Sequence, residues 1–104
     1  GVPRDMSEAV RWYRAAAALG YARAQCNLGV CLERGEGTKA DVPGAVALYR
    51  AAAEQDYAPG QCCLGFCYYM GIGVEQDPEE AVRWYRAAAE QDYGRAQRYV
   101  GINY

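Results

Sequence analysis

The ten residues 8–17, EAVRWYRAAA, recur letter for letter at residues 80–89, which is 72 residues later. A degenerate copy, GAVALYRAAA, lies midway at residues 44–53. The 104-residue chain is therefore three passes of one 36-residue unit. A unit that recurs at this period is typical of a stacked array in which each repeat contacts its neighbours. It is not typical of a globule with one active site.

Each pass contains an aspartate that is suited to begin a helix. Asp5, Asp41 and Asp77 stand 36 residues apart, and each side chain can accept hydrogen bonds from the free N–H groups of a first turn. Residues 78–91 are rich in Ala, Arg and Glu, which favour helix. The apolar residues of that stretch follow the i, i+3, i+4, i+7 spacing of one buried stripe: Ala81, Trp84, Tyr85 and Ala88. A first helix is thus predicted in every pass.

A second helix is predicted after a short turn, over residues 22–34 in the first pass and 58–70 in the second. Gly29, Gly65 and Gly101 occupy equivalent positions inside it. Glycine within a helix costs about 1 kcal/mol relative to alanine. Its return in all three passes predicts close approach of a neighbouring helix, where a Cβ atom would clash.

The predicted fold is all-α, because no stretch alternates apolar and polar residues between turn signals. It consists of six helices in three antiparallel pairs that stack into an α/α superhelical solenoid. The repeats are residues 1–36, which start in the loop before the first helix, residues 37–72, and residues 73–104, which are truncated. Because the chain opens and stops within repeats, we expect it to be a piece of a longer protein whose true N-terminus lies upstream.

The balance of charges excludes two classes of partner. The net charge is −2, and phosphate binding needs a surplus of Lys and Arg, so we predict no binding to nucleic acid or to an anionic membrane. No apolar run approaches the ~20 residues of a membrane span.

The five cysteines are interpreted as small apolar side chains on packed helices. Cys26 is equivalent to Cys62, and Cys31 to Cys67, one repeat apart. There is no histidine, and the Cys62, Cys63 and Cys67 group lacks a fourth ligand, so neither a metal site nor a cofactor is predicted. The protein is not predicted to be an enzyme, since histidine is the commonest general base. A thiol nucleophile at Cys63 is conceivable, but no neighbour in the sequence would lower its pKa.

Three motifs carry a family resemblance. A-V-x-W-Y-R-A-A begins at Ala9, Y-x-x-A-Q-x-x-L-G at Tyr21, and G-x-G-V-x-x-D at Gly71. Together they resemble the Sel-one-like repeat (SLR) family, an α/α solenoid relative of the tetratricopeptide repeat (TPR). The resemblance covers the whole chain, and in Asp56 and Asp92 the chain departs from the glycine that the family usually has. We expect these aspartates to take a left-handed turn conformation at a modest strain cost.

The resemblance also bears on the cysteines. A secreted, cysteine-rich branch of the family joins each helix pair by a disulfide, at positions that match Ala17 with Gln25 and Ala53 with Gln61. None of these residues is cysteine. The resemblance therefore favours reduced thiols and an intracellular setting.

By resemblance to TPR proteins, the second helices line a concave face that binds peptides. The residues predicted to face this groove are Arg23, Cys26, Asn27, Val30, Glu33 and Arg34 in the first repeat, Cys62, Cys63, Phe66, Tyr69 and Met70 in the second, and Arg95, Arg98, Tyr99 and Ile102 in the third. These positions vary between passes while the scaffold repeats, as expected for a site carried on a repeated frame. The alternative is that Phe66 or Tyr69 packs between repeats.

Other aromatic residues repeat in step and are assigned to the core between repeats: Trp12, Trp84, Tyr13, Tyr49 and Tyr85. A stacking platform for a carbohydrate or nucleotide is the alternative. The predicted function is a protein-interaction scaffold or adaptor that binds a peptide segment or partner surface. The apolar Phe66, Tyr69 and Met70, with Arg34 and Arg98 flanking them, suit a segment that carries a hydrophobic anchor and a carboxylate. The alternative function is a structural module that self-associates by stacking its exposed repeat ends.

Overall fold

The computed structural model describes residues 5–91, and the regular structure over this range is helical throughout. In chain order the helices are α1 Met6–Ala18, α2 Ala22–Arg34, α3 Val42–Ala53, α4 Ala58–Met70 and α5 Pro78–Gln91. The predicted all-α fold of antiparallel pairs is confirmed, and the bounds predicted for α2, α4 and α5 agree with the structure. The sixth predicted helix lies outside the described residues, together with the candidate site residues Arg95, Arg98, Tyr99 and Ile102.

Aspartate side chains begin the first helix of each repeat, as predicted. Asp41 Oδ1 accepts from the N–H of Gly44 at 2.9 Å, and Asp77 Oδ1 accepts from the N–H of Glu80 at 3.2 Å. Asp5 likewise accepts from a first-turn N–H at 3.0 Å. Each bond satisfies a backbone donor that the start of a helix leaves unpaired.

Glycines end the second helices and set the direction of the loops that follow. Gly35 and Gly71 both have the left-handed conformation, with φ of 71° and 74°. The loop after α2 then turns back along its own helix, because the Asp41 N–H donates to the Leu32 carbonyl at 2.8 Å. An equivalent bond recurs 36 residues later. The cap of one repeat is thus tied to the end of the repeat before it.

Successive repeats meet where a tyrosine ring lies against a glycine. A Cβ atom on Gly29 of α2 would lie 2.6 Å from Cε1 of Tyr49 on α3. A Cβ atom on Gly65 of α4 would lie 3.0 Å from the ring of Tyr85 on α5. The two tyrosines are only 2% and 4% exposed, so their rings have little room to move aside. The close approach predicted from the recurring glycines is confirmed, and the approaching group is the tyrosine of the next repeat.

Glutamine side chains join the two helices of each pair. Gln25 Nε2 donates to the carbonyl of Ala17 at 3.5 Å, and Gln61 Nε2 donates to the carbonyl of Ala53 at 3.2 Å. Both glutamines are buried. These are the positions that the resemblance assigns to disulfides in the cysteine-rich branch. An amide hydrogen bond here joins the same two helices.

Each of these buried glutamines also accepts a hydrogen bond from a glutamine of the repeat that follows. Gln55 Nε2 donates to Gln25 Oε1 at 2.9 Å, and Gln91 Nε2 donates to Gln61 Oε1 at 3.2 Å. The buried amide oxygens therefore have a partner, which removes the cost of leaving a polar atom unsatisfied. Both contacts recur at the 36-residue period, so every described boundary between repeats combines a tyrosine–glycine contact with an amide pair.

The assignment of Trp12 to the core between repeats is wrong. Its side chain is 71% exposed, whereas the equivalent Leu48 and Trp84 are half-buried and pack against the main core. The reason is positional: Leu48 and Trp84 lie on helices that have a preceding repeat to pack against. Within residues 5–91 no such repeat precedes Trp12.

The turn between α3 and α4 contains a strained aspartate. Asp56 has φ of 60°, the left-handed conformation expected for it, while Gly20 in the equivalent turn has φ of 91°. This conformation is costly for a residue with a Cβ atom and cheap for glycine. The same expectation for Asp92 falls outside the described residues.

We predict that Gly29→Ala lowers the free energy of unfolding by about 1–3 kcal/mol, because the new methyl group would overlap the Tyr49 ring. In a Tyr49→Ala background the same change should raise stability by up to about 1 kcal/mol, since the ring is gone and alanine is the better helix former. Urea unfolding followed by circular dichroism measures both changes. The same sign in both backgrounds would contradict the contact.

We predict that Asp56→Gly raises the free energy of unfolding by about 1 kcal/mol by relieving the left-handed strain. The reverse change, Gly20→Asp, should lower it by a similar amount. Glu54→Gly is a control, because Glu54 has φ of −71° and gains nothing from glycine. Equal effects of Asp56→Gly and Glu54→Gly in urea unfolding would show that the turn stores no strain.

Candidate functional site

A pocket of about 260 Å³ opens between α2 and α4. Its lining residues are Glu33 of α2, Tyr49 of α3, Pro59, Cys62, Cys63 and Phe66 of α4, and Tyr85 of α5. Four of them are among the residues predicted from the sequence to face the groove: Glu33, Cys62, Cys63 and Phe66. The structure thus brings candidate residues of two successive repeats into one site.

The contacts between repeats also position one polar group of this pocket. Because Gly29 has no side chain, the Tyr49 ring passes close to α2 and its hydroxyl reaches Glu33. The hydroxyl donates to Glu33 Oε1 at 2.8 Å. Burial, and then this hydrogen bond, raise the pKa of Tyr49 above its usual value. Tyr49 therefore remains a proton donor at neutral pH and holds the half-buried Glu33 carboxylate in place.

Three large apolar side chains lie exposed along α4 beside the pocket. Phe66 and Tyr69 are each 45% exposed, and Met70 is 53% exposed. Their i, i+3, i+4 spacing places them on one face of the helix. Leu64 and Cys67 of the same helix are buried, at 0% and 1% exposure. Neither Phe66 nor Tyr69 is therefore buried between repeats in the described part of the chain.

The positive groups predicted for the first repeat lie outside the pocket. Arg23 is exposed, and Arg34 Nη1 lies 3.7 Å from Glu36 Oε1 in a surface ion pair. Exposed pairs of this kind are screened by water and contribute little to stability. Among the lining residues that the structure describes, Glu33 is the charged one, and its charge is negative.

The remaining candidates of the first repeat lie deeper. Cys26 is 7% exposed, which leaves little of its side chain for a partner to touch. Asn27 and Val30 are half-buried, and Val30 packs against the main core.

The cysteines near the pocket are thiols, and two of them have strongly raised pKa values. Burial, with a smaller effect of nearby Cys63, raises the pKa of Cys26 to about 12. Burial, and then the charges of Glu33 and Cys63, raise the pKa of Cys67 to about 12. Neither supplies a thiolate near neutral pH, and the thiolate is the nucleophilic form. All five cysteines are reduced in the structure.

Residues 5–91 contain neither of two other features that would indicate a function. No cluster of three or more His, Cys, Asp or Glu side chains there is arranged to hold a metal ion. No helix in that range has the length and apolar character needed to cross a membrane.

Three pocket residues are not among those predicted from the sequence to face the groove: Pro59, Tyr49 and Tyr85. The tyrosines are assigned to the core from the sequence, and they are buried, but each also lines the pocket. A signal for this is present in the sequence. Tyrosine, rather than phenylalanine, recurs at this position in all three passes, and a buried tyrosine hydroxyl usually has a polar partner at the edge of the core.

Comparison with known proteins identifies the repeat. The model of the Sel1 repeat family matches residues 1–21, 22–57 and 58–93. These matches have the same 36-residue period, but each new repeat begins at the start of the second helix. The division into residues 1–36, 37–72 and 73–104 stays a prediction. No curated protein sequence matches the chain.

Solved structures show the same arrangement. A Sel1 repeat protein from Oxalobacter formigenes is 40% identical over 100% of this chain, with a TM-score of 0.87. A protective antigen of uropathogenic Escherichia coli with an SLR fold is 45% identical over 88% of the chain, with a TM-score of 0.83. This chain spans only 43% and 20% of the lengths of those two structures. The cysteine-rich protein B of Helicobacter pylori is 23% identical over 91% of this chain and 71% of its own, and shares the fold with a TM-score of 0.84.

Proposed function

The chain belongs to the Sel1 repeat family, and we propose that it is an interaction scaffold that binds a short segment of another protein along α4, in the pocket between α2 and α4. Sel1 repeat proteins generally mediate protein–protein interactions, and the family consists of non-catalytic repeat scaffolds. We extend both properties to this chain. It captures a partner and performs no chemistry on it.

The observation that carries the proposal is the row of exposed apolar side chains beside the pocket. Phe66, Tyr69 and Met70 together present an aromatic and thioether surface to solvent. Contiguous exposed apolar surface on a soluble protein marks an interaction site. An aromatic side chain at the edge of a pocket is the usual anchor of such a site.

Variation between the repeats supports the same surface. The equivalents of Phe66 and Met70 in the first repeat are Val30 and Arg34, although the scaffold glycines and tyrosines are unchanged. Since the scaffold does not need an aromatic residue at position 66, its exposure there is best explained by a partner.

We predict that Phe66→Asp weakens binding by about 30-fold or more, as expected for the loss of an anchor residue. The probe is a library of random eight-residue peptides displayed on phage and selected on the immobilised protein. Tyr21→Asp is the matched control, because Tyr21 is an aromatic residue that is 62% exposed outside the pocket. Clones that bind the wild type should be lost with Phe66→Asp and retained with Tyr21→Asp.

Circular dichroism and the melting temperature of both variants should stay close to those of the wild type, because both side chains are exposed. If the selected peptides bind the two variants equally, Phe66 is not the anchor. If Phe66→Asp unfolds the protein, Phe66 belongs to the core and the binding surface is wrongly assigned.

A second candidate function, self-association, is favoured by an exposed apolar face of the first repeat. Trp12 of α1 is 71% exposed, and Leu19, the residue that caps the end of α1, is 73% exposed. They are seven residues apart and therefore lie on the same side of the helix. The positions equivalent to Leu19 are Gln55 and Gln91, which hydrogen-bond to the preceding repeat. The exposed face of α1 thus corresponds to the faces that α3 and α5 bury against another repeat. We propose that a second copy covers it.

We predict that the average mass measured by light scattering rises above 11.4 kDa as the protein concentration increases. Trp12→Asp should restore a constant 11.4 kDa, because a charge in place of the indole opposes burial of this face. Phe66→Asp should leave the association unchanged. A wild-type mass that stays at 11.4 kDa over the whole series would contradict self-association.

A further inference from the structure

We propose that the pocket between α2 and α4 selects a basic side chain, Lys or Arg, from the bound segment. The cationic head pairs with the Glu33 carboxylate, and the aliphatic stem lies against Phe66. This inference rests on the proposed function, because it names the chemistry of the segment that the same site binds.

The Glu33 carboxylate has room for a ligand donor. A carboxylate has two oxygens and about four acceptor positions, and the Tyr49 hydroxyl donates to Oε1. That bond fixes the direction of the carboxylate before a ligand arrives. A charged acceptor held in place by a buried donor loses little freedom when it binds a cation, and hydrogen bonds to charged groups are the stronger ones.

Two arginines of residues 5–91 that adjoin pocket residues in the sequence, Arg34 and Arg50, contact other groups. Arg34 follows Glu33 in the sequence, but its guanidinium pairs with Glu36. The guanidinium of Arg50 lies over the Tyr68 ring, 5.6 Å from the ring centre, and Nη2 donates to the Tyr68 hydroxyl at 2.5 Å. The negative charge of Glu33 therefore favours a cation from the partner, by charge complementarity.

The walls and size of the pocket suit the stem of a basic side chain. Phe66 and Pro59 provide apolar walls, and long basic side chains lay their methylene groups on such surfaces while the charged head reaches a polar group. A cation close to the Phe66 ring gains a further attraction. The volume of about 260 Å³ is below the range of pockets for drug-sized ligands, and is suited to one side chain.

The first part of the test is the composition of the peptides that the display experiment selects. Clones that require Phe66 should be enriched in Lys or Arg next to apolar residues, and depleted in Asp and Glu. The second part uses one enriched peptide synthesised in two forms, with its basic residue intact or replaced by norleucine, which keeps the stem and removes the charge. Fluorescence anisotropy gives the dissociation constant of each form.

Glu33→Gln should weaken binding of the basic peptide about tenfold and leave the norleucine peptide unaffected, since each change removes one partner of the same pair. Glutamine retains an oxygen for the Tyr49 hydroxyl, so the fold should persist. Glu75→Gln is the matched control, because Glu75 is exposed outside the pocket and removing its charge should change binding less than about twofold. The norleucine peptide tests the charge pair without changing the protein, should Glu33→Gln prove unstable.

The failures of the two proposals are distinguishable. If Phe66-dependent peptides are selected but are neutral or acidic, the binding function stands and selection of a basic residue is overturned. Equal effects of Glu33→Gln and Glu75→Gln would likewise overturn selection of a basic residue. If no Phe66-dependent peptide is selected, the proposed binding function itself fails.

Discussion

The packing of a tyrosine ring against a glycine is the contact on which the rest of the molecule depends. It occurs between Gly29 and Tyr49 and again between Gly65 and Tyr85. It sets how closely the second helix of one repeat approaches the first helix of the next, and it does so with nearly complete burial of each ring. The absence of a Cβ atom lowers helix propensity locally, and the burial of an aromatic ring more than offsets that loss.

The same contact links stability to the pocket. A tyrosine that crosses a glycine carries its hydroxyl to the far side of the helix, and there the hydroxyl of Tyr49 meets Glu33. One residue therefore belongs to the core through its ring and to the site through its oxygen. Because the Tyr49 ring is buried and fixed in position, its hydroxyl also fixes the position of the Glu33 carboxylate. The site in this solenoid is thus a product of the packing between repeats, and not an addition to a finished scaffold.

The features predicted correctly from the sequence are those with a local physical cause. Asp41 and Asp77 cap helices through neighbouring backbone groups, and Gly35 and Gly71 end helices through their own φ angles. The internal glycines have no side chain, and this absence by itself predicts that a neighbouring group approaches closely. The incorrect assignment of Trp12 and the overlooked role of Tyr49 share another cause. Exposure of Trp12 depends on which elements lie beside it, and the reach of the Tyr49 hydroxyl depends on helix spacing. Neither property can be predicted from the sequence of a single helix.

The amide pairs between repeats have a consequence for the order of the units. Gln55 and Gln91 each donate to a glutamine of the preceding repeat, but the residue at the equivalent position of the first repeat is Leu19. The leucine side chain has no hydrogen-bond donor. A repeat with leucine at this position would therefore leave the amide oxygen of the glutamine in the preceding repeat without this partner. The repeats are consequently not interchangeable, despite their nearly identical scaffold residues. Rearranging the repeats would keep every helix but would lose one amide hydrogen bond at a boundary between repeats. The order of the repeats in this chain is therefore defined, although their scaffolds look uniform.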